Sequence, residues 1–127
     1  MAEWILDASA LLALLNNESG ADAVRDTLPN AAISAVNLAE VISRLIAVGM
    51  PEDKTKEILS ALGLEVAPFT EEEAFQRGLL YPKTKPMGLS LGDRACLALA
   101  KVRGVRALTA DRSWQALDIG VQIELIR

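Results

Sequence analysis

Trp4-Ile5-Leu6-Asp7-Ala8-Ser9-Ala10-Leu11-Leu12-Ala13-Leu14-Leu15 sets the architecture. Its first three residues make a short apolar strand that ends at Asp7, and residues 9–15 read as an apolar helix close behind. A strand and a helix so tightly joined open an α/β unit. Asp7 is badly placed for a surface acid, because it follows a buried strand and precedes Ala-Ser-Ala and a further apolar run.

The alternation continues along the chain. Residues 20–28 read as a second helix and 32–34 as a second strand. Leu38, Val41, Ile42 and Leu45 stand at i, i+3, i+4 and i+7, which lines one face of a long helix that stops at Gly49. Pro51, Glu52 and Asp53 start another helix, since proline suits the first turn and acids suit the positive end of the helix dipole. Residues 64–67 are a third strand, and Thr70 with Glu73 caps the helix that follows. Residues 81–89 read as a loop broken by Pro82 and Pro86. Ser90 with Asp93 opens the most apolar helix, residues 91–102, and 106–110 and 121–126 are the last strands. The expected fold is a three-layer α/β/α sandwich around a central, mainly parallel sheet of four or five strands. At 127 residues the chain is expected to be a single domain spanning 1–127.

Composition prunes the chemistry. The chain has no histidine and one cysteine, Cys96. Histidine-based triads, imidazole zinc sites and imidazole proton shuttles are excluded, and so are an internal disulfide and any CxxC site. Cys96, in an apolar helix, reads as a small buried filler. Catalysis is left to carboxylates, hydroxyls, Lys and Arg, and carboxylates favour hard cations such as Mg²⁺ or Mn²⁺. Aromatics are 4% of the chain, too few for a base-stacking platform. A net charge of −4 argues against nucleic-acid binding by bulk charge but permits a local basic patch or a basic protein partner. Asp7 interrupts the first apolar run and Glu3 precedes it, unlike a secretory leader, and no stretch nears the ~20 apolar residues of a membrane span. A cytoplasmic protein with no membrane association is expected.

The topology gathers acids that lie far apart in sequence. Asp7 and Asp111 each end a strand, so a parallel sheet puts both on its carboxyl edge. That edge also carries helix N-termini, with Asp93 in the first turn of one helix and Glu40 early in another. Ligands bind at this edge in open α/β folds. Four carboxylates together repel one another unless a cation neutralises them, and one or two Mg²⁺ or Mn²⁺ ions there would activate a water and hold a phosphate. Each acid also has a plainer use. Glu40 is spaced to pair with Arg44, Asp93 to complete the capping box of Ser90, and Asp111 to begin a turn with Arg112 and Ser113. Ser9 and Thr109 would orient a carboxylate or hold a water, or else serve ordinary capping and turn bonds. Lys83, Lys85, Arg94 and Arg112 are the cations available for phosphate contacts, or part of a solvated surface. Trp4 and Trp114, in apolar context, read as core anchors.

These residues and their flanks resemble a known family. I-L-D-A-S-A-L-L-A-L-L at 5–15, A-V-N-L-A-E-V at 35–41, L-S-L-G-D-R-A-C-L-A-L-A at 89–100 and L-T-A-D-R-S-W at 108–114 are similar to the PIN-domain family, and within it to VapC-type toxins. The resemblance covers essentially the whole chain; Trp114 stands where members often carry Phe. It implies that Asp7, Glu40, Asp93 and Asp111 are the acidic quartet and that Ser9 and Thr109 are supporting hydroxyls. It further implies metal-dependent RNA cleavage, a homodimeric toxin and a cognate VapB-type antitoxin that blocks the site. Cleavage would leave a 5′-phosphate and a 3′-hydroxyl, with Asp7 and Asp93 as the first choice of direct metal ligands and Glu40 and Asp111 binding a second ion or acting through water.

Two other classes fit the same outline. A receiver-like signalling module shares the size and an acidic Mg²⁺ site. It wants an acidic pair after the first strand, a phosphoacceptor on a middle strand and a late lysine, whereas here Asp7 is single, the third strand ends at Ala67-Pro68 and no lysine follows Lys101. A non-catalytic PIN-fold interaction protein would be marked by a lost acid, and all four are present. For a partner, residues 9–28 and 42–50 are the expected apolar patches.

Overall fold

The computed structural model describes residues 2–127. Its strands are β1 (Trp4–Leu6), β2 (Ala31–Ser34), β3 (Glu65–Ala67), β4 (Arg106–Thr109) and β5 (Ile123–Leu125). Its helices are α1 (Ala8–Leu15), α2 (Ala21–Thr27), α3 (Ala35–Ala47), α4 (Glu52–Ala61), α5 (Glu71–Thr84) and α6 (Leu91–Arg103). The strands form one sheet in the order β3-β2-β1-β4-β5, parallel at every pairing. Strand order reverses between β1 and β4, and in open α/β sheets ligands bind outside the carboxyl ends of the strands at such a switch point.

Side chains alternate across the sheet and so supply two cores. Ile5, Ala32 and Ala107 pair in register and face a core completed by Leu80, Leu97, Leu99 and Trp114. Leu6, Ile33 and Leu108 face the other side, where Leu11, Val24, Val41 and Leu45 cover them. The three layers match the sequence expectation. Among the described residues no helix is long and apolar enough to cross a membrane.

Several local expectations are corrected. Residues 81–84 are helical, because α5 continues through Pro82 to Thr84. An interior proline forfeits a bond and costs about 3 kcal/mol, but Leu80 and Thr84 are buried in this turn, and that packing outweighs the local preference. A 3-10 turn, Lys85–Met87, then leads into α6. Trp114 is fully buried, whereas Trp4 is half-buried with the Arg106 guanidinium 3.6 Å above its ring. Most of the apolar side chains of α1 and α2 lie in the core rather than on a patch, while Ile42 and Ile46 of α3, and Val48 directly after it, are exposed as expected.

Candidate active site

Asp7 terminates β1 and caps α1. Its Oδ1 accepts from the Ala10 amide at 2.8 Å and from Ser9 Oγ at 2.7 Å. Its Oδ2 accepts from Thr109 Oγ1 at 2.5 Å, across the β1–β4 switch point, and from Ser9 Oγ at 2.9 Å. The side chain is 3% exposed. Burial raises its pKa from the ordinary aspartate range to about 6; the bonds from Thr109, Ala10 and Ser9 pull it back, and the charge of Asp93 pushes it up. The two hydroxyls therefore serve Asp7 directly. Ser9 Oγ also accepts from the Ala110 amide at 3.0 Å, and Thr109 Oγ1 from the Asp111 amide at 3.0 Å, which ties the ends of β1 and β4 together.

Asp93 is the third residue of α6. The capping box is complete: Asp93 N–H donates to Ser90 Oγ at 3.1 Å and Ser90 N–H to Asp93 Oδ2 at 2.9 Å. Among the described residues its Oδ1 has no hydrogen-bond partner. Asp111 caps the 3-10 turn Arg112–Ala116, with Oδ1 accepting from the Ser113 amide at 3.0 Å and Ser113 Oγ at 2.7 Å. Its Oδ2 is free. Glu40, in the second turn of α3, does not pair with Arg44; its Oε1 lies against Gly92 in the first turn of α6. The plainer uses of Asp93 and Asp111 are thus real, and each occupies one carboxylate oxygen.

Asp7 and Asp111 are joined through Thr109, Glu40 touches the turn that carries Asp93, and Asp93 acts electrostatically on Asp7. Among the described residues none of the four acids forms an ion pair with Lys or Arg. Nor do three acidic side chains among them converge tightly enough to hold an ion as they stand. The donor set suits a hard cation, being all oxygen with free atoms on Glu40, Asp93 and Asp111. None of those three side chains is buried.

Of the basic residues, Lys83, Lys85 and Arg112 are exposed. Arg94 is corrected: it is 6% exposed, donates from Nε to Thr84 Oγ1 at 2.7 Å and stacks 4.7 Å from the Tyr81 ring centroid. It ties α6 to α5 from a buried position, in contrast to the exposed Lys83, Lys85 and Arg112. Cys96 is buried as expected, and burial drives its thiol pKa up, with Asp7 and Asp93 adding to the shift. Asn37 and Gly92 were not singled out from the sequence. Asn37 Nδ2 donates to the Gly92 carbonyl at 2.8 Å, and a side chain at 92 would meet Glu40. The available hint was position alone: Asn37 lies one turn before Glu40, and Gly92 directly before Asp93.

A PIN-domain family model matches residues 4–120. This chain belongs to the PIN-domain family. A VapC ribonuclease of Mycobacterium bovis is 30% identical over 125 residues, covering 91% of this chain and 95% of that protein. The ribonuclease VapC42 of Mycobacterium tuberculosis matches to the same extent. Among solved structures, the DNA-bound VapBC complex of Salmonella typhimurium has a chain with a TM-score of 0.79 at 20% identity, covering 100% of both chains. A toxin–antitoxin complex from Klebsiella pneumoniae has one with a TM-score of 0.78 at 19% identity, covering 100% of this chain and 98% of that one. The PIN fold therefore extends over the whole molecule.

Proposed function

We propose that this PIN domain, acting as one nuclease unit over residues 1–127, is a metal-dependent endoribonuclease and the toxin of a VapBC-type toxin–antitoxin pair. Asp7 and Asp93 are its direct ligands for Mg²⁺ or Mn²⁺, and Glu40 and Asp111 hold a second ion or act through water. One observation carries the reading. Asp7, a buried carboxylate whose pKa burial raises to about 6, shares the carboxyl edge of the sheet with Glu40, Asp93 and Asp111, and among the described residues no Lys or Arg pairs with any of the four. Such a site is costly without a cation. The ribonuclease names of the relatives point the same way.

A bound ion would supply Lewis acidity toward phosphate oxygen and lower the pKa of water. The protein's own residues do the rest. Ser9, Ala10 and Thr109 hold Asp7 in one orientation, so it offers a rigid ligand. Asp93 presents Oδ1 while Ser90 keeps Oδ2, and Asp111 presents Oδ2 while Ser113 keeps Oδ1. Lys83, Lys85 and Arg112 offset RNA phosphate charge at the rim. Hydrolysis leaves a 5′-phosphate and a 3′-hydroxyl, because no 2′-hydroxyl takes part. A VapB-type antitoxin with a basic tail suits the −4 chain and its acidic edge. A homodimer suits the exposed Phe75 and Leu79 on α5 and Ile42 and Ile46 on α3. The expected site of action is the cytoplasm.

Antitoxin-free protein incubated with RNA tests this reading. It should cleave with Mg²⁺ or Mn²⁺, stop with EDTA, leave 5′-phosphate ends, and lose the activity in Asp7→Asn. Cleavage that survives EDTA, or full activity in Asp7→Asn, defeats it.

A further inference from the structure

Glu40 does not stand free at the rim. A β-carbon built on Gly92 would come within 2.5 Å of Glu40 Oε1 and 3.4 Å of Asn37 Nδ2. Asn37 precedes Glu40 by three residues, so both project from the same face of α3. It is 1% exposed, and its 2.8 Å bond to the Gly92 carbonyl joins α3 to the first turn of α6. The next residue in that turn is Asp93. Glycine in a helix costs about 1 kcal/mol relative to alanine. Gly92 does not adopt a left-handed conformation that would call for glycine. What its missing side chain leaves room for is the Glu40 carboxylate.

We propose that Gly92 and Asn37 are positioning residues for the acidic site. The bare Gly92 gives the Glu40 carboxylate its seat against the turn that bears Asp93, and the Asn37 amide locks the two helices at that spacing. This inference rests on the metal-dependent reading above and deepens it. It separates stability from function. The atom that a methyl group at 92 would strike is the far end of a flexible side chain, so Glu40 swings away while the fold stays intact. Gly92→Ala therefore gains helix propensity and loses the ligand.

The test uses the full chain free of antitoxin, with MnCl₂ as the probe in calorimetric titration and thermal melts run in EDTA. Gly92→Ala should melt at or above the parent temperature and bind Mn²⁺ about tenfold more weakly, the scale set by residues that orient metal ligands. Cleavage should recover at saturating Mn²⁺ with KM for RNA unchanged. Asn37→Ser, whose hydroxyl is too short to reach the carbonyl, should weaken Mn²⁺ binding similarly. Glu40→Asp retracts the carboxylate from the methyl group, so combined with Gly92→Ala it should lose less affinity than the two single losses predict. Unchanged Mn²⁺ affinity in Gly92→Ala overturns the proposal, as does a large drop in its melting temperature, which would mean that the methyl group strikes the fold. If the parent binds no Mn²⁺, or Asp7→Asn binds it as the parent does, the metal reading itself falls. If both behave as expected and Gly92→Ala does not, only the positioning role falls.

Discussion

Asp7 meets two opposed demands. It caps a helix and bridges two strands, which favours the charged form, yet it is buried, which disfavours it. Burial wins, and the pKa rises to about 6. A carboxyl whose pKa is higher in the folded state holds its proton longer there than in the unfolded chain. Its contribution to stability is complete below the ordinary aspartate pKa and is lost as pH climbs through about 6. Denaturant titrations of the metal-free protein should therefore show stability falling across that interval. In Asp7→Asn this part of the slope should vanish. The variant should be more stable than the parent at pH 7.5, by roughly 1–3 kcal/mol given about 1.4 kcal/mol per pKa unit. Gained stability with lost cleavage would mark Asp7 as a residue kept for chemistry.

The pairing of α5 with α6 controls where Asp93 sits, and it does so through a buried cation. Arg94 follows Asp93 and turns inward to Thr84 and Tyr81. Thr84 Oγ1 in turn donates to the Leu80 carbonyl at 2.8 Å. Thr84→Val keeps the shape of the side chain and removes the acceptor, leaving Arg94 Nε buried without that partner. Chemical denaturation should show a loss of about 1–3 kcal/mol, the cost of an unsatisfied buried donor. At the opposite end of α6, Arg103 meets Glu65 of β3 in a two-pronged ion pair whose side chains are 28% and 48% exposed. Glu65→Ala should cost less than 1 kcal/mol in the same measurement, because solvent screens that pair.

For the whole molecule, two consequences follow from an acidic edge and an apolar flank. Binding of Mg²⁺ or Mn²⁺ to the folded state alone should raise the melting temperature with ion concentration, and EDTA should reverse the rise. The rise should be absent in Asp7→Asn. Phe75 and Leu79 stand at i and i+4 on α5, 72% and 61% exposed, and Leu91 at the start of α6 is 58% exposed. For the proposed homodimer, the double substitution Phe75→Asp with Leu79→Asp should leave the circular dichroism of the fold unchanged and shift the light-scattering mass from dimer to monomer.

The strands, most helix ends and the four acids were legible in the chain because each is written locally. Apolar period, proline and glycine breaks, and capping pairs act over a few residues, and parallel pairing turns strand ends into a shared edge. Pro82 misled for the same reason, since its local preference was outweighed by burial against a helix later in the chain. Arg94 misled because a cation beside an acid in sequence can turn inward once a second helix packs over it. The sequence alone was enough for an α/β sheet with Asp7, Glu40, Asp93 and Asp111 at its carboxyl edge. The local caps that hold one oxygen of Asp93 and of Asp111 were legible with them, whereas tertiary packing alone decided how Asp7 and Glu40 are braced: the Thr109 bond to Asp7 spans 102 residues and the Asn37 bond to Gly92 spans 55. Contacts at such separations depend on how helices and strands dock, and no local pattern encodes that.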